Sequence, residues 1–233
     1  MRIWDVNPGY LNRQSLLGEH RELHGIVAIL RDNKKGYSKH PETLRWVGHH
    51  WALRQRHRLI VAEMNLRGYV DKSPVLLRAN SNVWPTEFID PPASQFVILK
   101  NKYTNIEKGR ISIPNSVQQL WAQHKYSVMA RDISKYKSFG KRVSARSKSM
   151  DMDVIALELT NLLRQPPKKR LIENTVLHMW GYVSKYEKIT GIKLKSYSLK
   201  SLLKIIQNLS INNNVKYLTS STALSELDAW SLL

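Results

Sequence analysis

The amino-acid sequence predicts an all-α protein made of two helical modules, and three observations carry that expectation. Apolar residues recur at helical spacing over residues 11–30. The same patterning returns after Pro114 and continues to the end of the chain. Between them lies a stretch punctuated by Lys72-Ser73-Pro74, Trp84-Pro85 and Asp90-Pro91-Pro92, which shows little helical periodicity and reads mostly as loop. The expected organisation is a first module over residues 1–78, a connecting Pro-containing irregular segment over 79–114, and a helical bundle over 115–233.

The first helix is expected over residues 11–30. Wound at about 100° per residue, Leu16, Leu23, Val27 and Leu30 fall within about 60° of one another and form the core-facing stripe. The opposite face gathers Gln14, Gly18, Arg21 and Gly25, with Glu22 beside them. Two glycines weaken a helix by up to about 1 kcal/mol each, so a backbone or a ligand is expected to come close there. Taken alone, however, an Arg-Glu pair on a helix reads as a solvated ion pair of little worth. Asn7-Pro8-Gly9 predicts a turn ahead of this helix, and Asp32-Asn33-Lys34-Lys35-Gly36 its end.

Pro41 is placed to open a second helix that runs to about Arg67, with Gly68 as its stop. Its apolar positions include Val47, Trp51, Leu59 and Met64, and its other faces carry His49, His50, Arg54, Arg56, His57 and Arg58. No carboxylate or cysteine joins these histidines at a familiar ligand spacing, so no metal site is predicted among them. Contact with a DNA backbone, or plain surface, is the expected use, with His50 and His57 as candidates. Lys39 and His40, in the preceding loop, read as phosphate contacts or as exposed surface. Val97-Ile98-Leu99 fits a short strand or a buried segment, and Trp84 or Tyr103 either stacks a base or anchors a loop.

In the second half, helices are expected over 116–133, 151–163, 171–189, 199–209 and 223–233, and the basic run 135–148 around Gly140 reads as a solvated face that extends a phosphate-binding surface. The chain has 233 residues and a formal net charge of +19, with a pI of about 10.1. Such an excess of Lys and Arg predicts salt-sensitive attraction to nucleic acid or to an anionic membrane surface, without distinguishing DNA from RNA. Cysteine is absent, which excludes disulfides, thiolate metal sites and cysteine nucleophiles. No apolar run approaches a membrane span. No leader precedes the folded segment, so a cytoplasmic location is expected. A bulky Arg2 predicts that Met1 is retained and carries the α-amine. With a pKa of about 7.7 to 8.0, against about 10.4 for lysine, such an amine is more often neutral and nucleophilic at physiological pH.

Several of these residues carry a resemblance. Met1-Arg2-Ile3-Trp4-Asp5, Tyr10-Leu11-Asn12-Arg13-Gln14, the run from Leu16 through Gly18-Glu19-His20-Arg21-Glu22 to Leu23, Lys35 to Pro41, and Arg56-His57-Arg58 leading to Ala62 through Tyr69 resemble the pyrimidine-dimer DNA glycosylases of the phage endonuclease V type. The resemblance implies a DNA glycosylase with AP-lyase activity acting on double-stranded DNA that contains a damaged or modified base, and no cofactor. Met1 would supply the α-amine nucleophile, and Glu22 the carboxylate that assists glycosyl release and proton removal. Arg2, Gln14 and Arg21 would grip the DNA around the lesion, with Lys39, His50, Arg56 and His57 as further DNA-binding candidates. Gly25 stands where the phage enzyme has another DNA-contacting arginine and His57 where it has a glutamine, two departures that bear on lesion specificity. Residues after about 115 resemble the YbgA-like domain, on His124-Lys125-Tyr126, the spacing from Tyr136 to Gly140, Pro166-Pro167, Asn174 and His178-Met179-Trp180-Gly181-Tyr182. His124, Asn174 and His178 could form a small polar site or could equally be core histidines and their neighbours. Two other classes of function stay open: a non-catalytic nucleic-acid-binding regulator, and an enzyme centred on the C-terminal module.

Overall fold

The computed structural model describes residues 1–78, 82–145, 151–187 and 196–230. Among the described residues there are eleven α-helices, three short 3-10 turns and no strand, so the protein is all-α. Two compact units divide the chain, Met1–Gly109 and Arg110–Leu233. No helix of the described residues is long and apolar enough to cross a membrane.

In the first unit an irregular terminal stretch leads through the 3-10 turn Pro8–Tyr10 into α1, Arg13–Asp32. Asn12 caps α1 by accepting from the Ser15 amide, and its own backbone and side chain are fixed in turn by the Tyr103 hydroxyl and the Glu107 carbonyl. A cap of this kind contributes about 1 kcal/mol. The core face of α1 is Leu16, Leu23, Ile26 and Val27, and the helix ends in a left-handed Asn33 with φ 51°.

The single helix expected from Pro41 to Arg67 is two: α2, Pro41–Trp46, and α3, His50–Leu66. The break falls at Gly48, whose φ of +80° lies in the left-handed region that glycine enters without strain. After α3, the chain turns at Gly68. The stretch read as loop contains α4, Pro92–Lys102, with Pro92 at the start of the helix where a missing N–H costs nothing. Val97-Ile98-Leu99 is therefore helical, with Leu99 buried. Phe96 packs edge-on against Tyr10, ring centroids 4.9 Å apart. A Cβ at Gly109 would run into the Tyr10 backbone carbonyl, so only glycine fits there.

The second unit holds α5, Val117–Met129, α6, Ile133–Ser144, α7, Met152–Leu163, α8, Lys169–Val183, α9, Leu199–Asn212, α10, Lys216–Thr219, and α11, Ala223–Glu226. The chain breaks between α5 and α6, where one helix to residue 133 was expected, and Asp132 caps the new start. Much of the basic run is thus helix α6, buried only through Phe139 and Val143. Residues 146–150, which complete that run, and 188–195 and 231–233, which complete two expected helices, lie outside the described residues. Arg131 is the polar centre of this unit: its guanidinium pairs with Glu226 and donates to the carbonyls of Gln165, Ser127 and Leu163.

Candidate active site at the start of the chain

The terminal stretch is buried outside any helix or sheet, so each of its carbonyls needs a donor from elsewhere. Three arginines supply several of these donors. Arg45 donates from Nη2 to the Ile3 carbonyl, Arg56 from Nη1 to the Val6 carbonyl and Arg67 from Nη1 to the Leu11 carbonyl, at 3.0, 2.8 and 2.8 Å. Each guanidinium is also held by acid: Arg45 by Asp5 and Glu42, Arg56 by Glu19, and Arg67 by Glu63. The facing amides are met as well. The Trp4 amide donates to Glu19 at 3.1 Å and the Asp5 amide to the Gln95 side-chain oxygen at 2.8 Å. Burial pushes the Glu19 carboxyl up from its ordinary value, against the pull of Arg56, so the acid is fully desolvated.

This scaffold fixes the very first residues. The Arg2 backbone amide donates to Oε2 of Glu22 on α1, and the contact is short. Covalent geometry keeps the Met1 nitrogen within about 3.6 Å of that amide nitrogen. Met1 and Glu22 are therefore neighbours, each partly exposed. The Arg2 guanidinium pairs with Asp90 at 2.7 Å and lies 4.2 Å from the centroid of the Trp4 ring.

On the same helix Gln14 and Arg21 are exposed. An added Cβ at Gly18 or at Gly25 meets nothing within 4 Å. The close backbone approach anticipated on this face is not made by the chain itself, and the face stays open. Lys39 is exposed. His50 is partly exposed, its Nδ1 3.2 Å from the Arg78 carbonyl oxygen.

Arg56 and His57 are not placed to touch DNA. Arg56 is 2% exposed and all of its fork is engaged by Glu19 and Val6; it is a structural residue of the terminal scaffold. His57 is buried and faces His20 and His24 of α1 and Asp71 beyond α3. The sequence gives little sign of this grouping of four beyond His20 and His24 standing four apart on one helix, because His57 and Asp71 come from distant elements. Trp84 packs edge-on near Trp46 and Trp51, and Tyr103 is buried, so both anchor loops.

In the second unit His124 is buried, its Nδ1 2.8 Å from the Leu120 carbonyl oxygen, and burial holds its imidazole down to about 4. Asn174 and His178 are exposed on α8. His124 thus lies in the core of the second unit, whereas Asn174 and His178 lie on its surface.

Residues 1–77 match the family model described as Pyrimidine dimer DNA glycosylase, and residues 125–227 match that described as Protein of unknown function (DUF1722). These matches agree with the resemblance read from each half of the sequence. No curated protein and no solved structure matches the chain.

Proposed function

We propose, from the family match of residues 1–77 and the neighbourhood of Met1 and Glu22, that the first unit excises a damaged base from double-stranded DNA, a pyrimidine dimer foremost, and then cuts the strand. The observation that carries this reading is the hydrogen bond from the Arg2 amide to the Glu22 carboxylate, which leaves the α-amine of Met1 one residue from a carboxylate on an open, basic helix face.

The lone pair of the Met1 amine attacks C1′ of the damaged nucleotide. The glycosidic bond breaks, and the base leaves with the bonding electrons and takes up a proton. The C1′–O4′ bond then breaks, O4′ taking up a proton as the nitrogen loses one, to give an iminium that acidifies the proton on C2′. Glu22 removes that proton, the C3′–O bond breaks with the phosphate as leaving group, and water hydrolyses the C1′=N bond to free the amine. The damaged nucleotide, or its partner, must leave the stack, and damage lowers the cost of doing so. Arg2, Gln14 and Arg21 hold the flanking backbone, with Lys39 and His50 further out. The Arg2–Asp90 pair is about one third exposed on each side. Such a surface pair is worth little, so an incoming phosphate can displace Asp90.

The scheme uses only groups of the chain and solvent. Borohydride should trap an abasic-site duplex on the peptide that contains Met1, and Glu22→Gln should suppress base excision. Trapping at an internal lysine would reject the mechanism, and binding of irradiated duplex without incision would favour a non-catalytic role.

A further inference from the structure

The four side chains gathered around His57 have the composition and spacing of a cation site. Nε2 of His24 lies 3.3 Å from Nε2 of His20, Nε2 of His20 lies 3.2 Å from Oδ1 of Asp71, and Nε2 of His57 lies 3.6 Å from Oδ2 of Asp71. One candidate ligand atom from each of the four falls within 4.8 Å of every other. A tetrahedral zinc with bonds of about 2.0 to 2.2 Å holds its ligands about 3.3 to 3.5 Å apart. Three of the separations already fall near that value, and none exceeds 4.8 Å.

Hydrogen bonding among the four cannot account for the arrangement. The single Nε2 of His20 faces both Asp71 and His24; it can donate to the one or accept from the other. Nε2 of His57, in a residue 6% exposed, is buried without a hydrogen-bond partner. The three imidazoles crowd together, with centroids 4.6, 5.3 and 5.0 Å apart, so protonating them would set like charges against one another. Asp71 is oriented from behind, its Oδ1 accepting from the Ser73 amide at 2.9 Å; ligating carboxylates commonly have such support.

We propose that His20, His24, His57 and Asp71 bind a divalent transition-metal ion, with zinc the best fit to three imidazoles and one carboxylate. With all four positions filled by the chain, the ion is structural: it ties α1, α3 and the segment after Gly68 together, and its role is independent of the glycosylase reading.

The test uses the full-length protein, stripped with a chelator, re-exposed to zinc and desalted. Roughly one zinc per chain should be retained, with a raised melting temperature, and cobalt should give the absorption spectrum of a tetrahedral ion. His57→Ala should weaken zinc affinity by at least about 100-fold, since even supporting residues behind a ligand are worth 10–100-fold. Should that variant fail to fold, His24→Ala, on the more exposed side, and Asp71→Asn carry the same prediction. His178→Ala, on the surface of the second unit, should bind like the unaltered protein. Absence of retained zinc in the unaltered protein, or retention undiminished in His24→Ala and Asp71→Asn, would overturn the proposal.

Discussion

Replacing Arg56 by methionine tests whether the start of the chain is held by buried charge. The substitution keeps most of the side-chain volume and removes three hydrogen bonds, two to Glu19 and one to the Val6 carbonyl. Glu19 then stays buried with the Trp4 amide as its remaining donor among those described here. Removing one partner of a buried pair costs about 3–5 kcal/mol, mostly because the other is stranded. For a unit of this size, each kcal/mol lowers the melting temperature by roughly 4 °C or more, so a fall of roughly 10 to 20 °C is expected. Calorimetry on the full chain reads this as a lowered melting temperature. Adding Glu19→Leu should recover part of the loss, because the raised Glu19 carboxyl already records a desolvation penalty. The recovery is incomplete, since the Val6 carbonyl and the Trp4 amide lose their partners at about 1–3 kcal/mol each. A loss below about 1 kcal/mol in Arg56→Met would refute the reasoning, and so would a double variant weaker than the single one.

Two further outcomes follow from the geometry. His124 is neutral in the folded second unit and held down to about 4, against 6.5 in the open chain; between those values the unfolded form binds the extra proton, so stability is intact above pH 6.5 and falls on acidification towards pH 4. The loss is about 3 kcal/mol, measurable by urea denaturation across that range, and His124→Asn should flatten it. Arg21→Ala should weaken binding to undamaged duplex and reduce the slope of log affinity against log salt by about 1, whereas Arg56→Met should leave that slope unchanged.

The helical class and the course of α1 were legible because they depend on local periodicity. Leu16, Leu23 and Val27 of the expected stripe are buried, and Leu30 is half-buried. What escaped was set by partners far along the chain. Arg56 looked like surface because charge usually is; the buried Glu19 and the Val6 carbonyl, 37 and 50 positions earlier, explain it. Helix α4 follows paired prolines that read as loop punctuation, although proline also suits a first helical turn. Helix α6 buries so narrow a stripe that its basic residues hid the period. The His20, His24, His57 and Asp71 cluster joins a helix to residues 33 and 51 positions beyond its own, a relation no window of sequence contains.

The anchors of the terminal stretch have a consequence for how the protein is made. Residues 3–11 are synthesised ahead of the groups that secure them, which arrive 42, 50 and 56 positions later, with Gln95 about 90 later. The segment is thus among the last parts of the first unit to be seated, because contacts of such long separation form late. A nascent chain halted before α4 would carry the three arginines and still lack Gln95, which holds the Asp5 amide. The terminal stretch is fully held only when the whole first unit has closed around it.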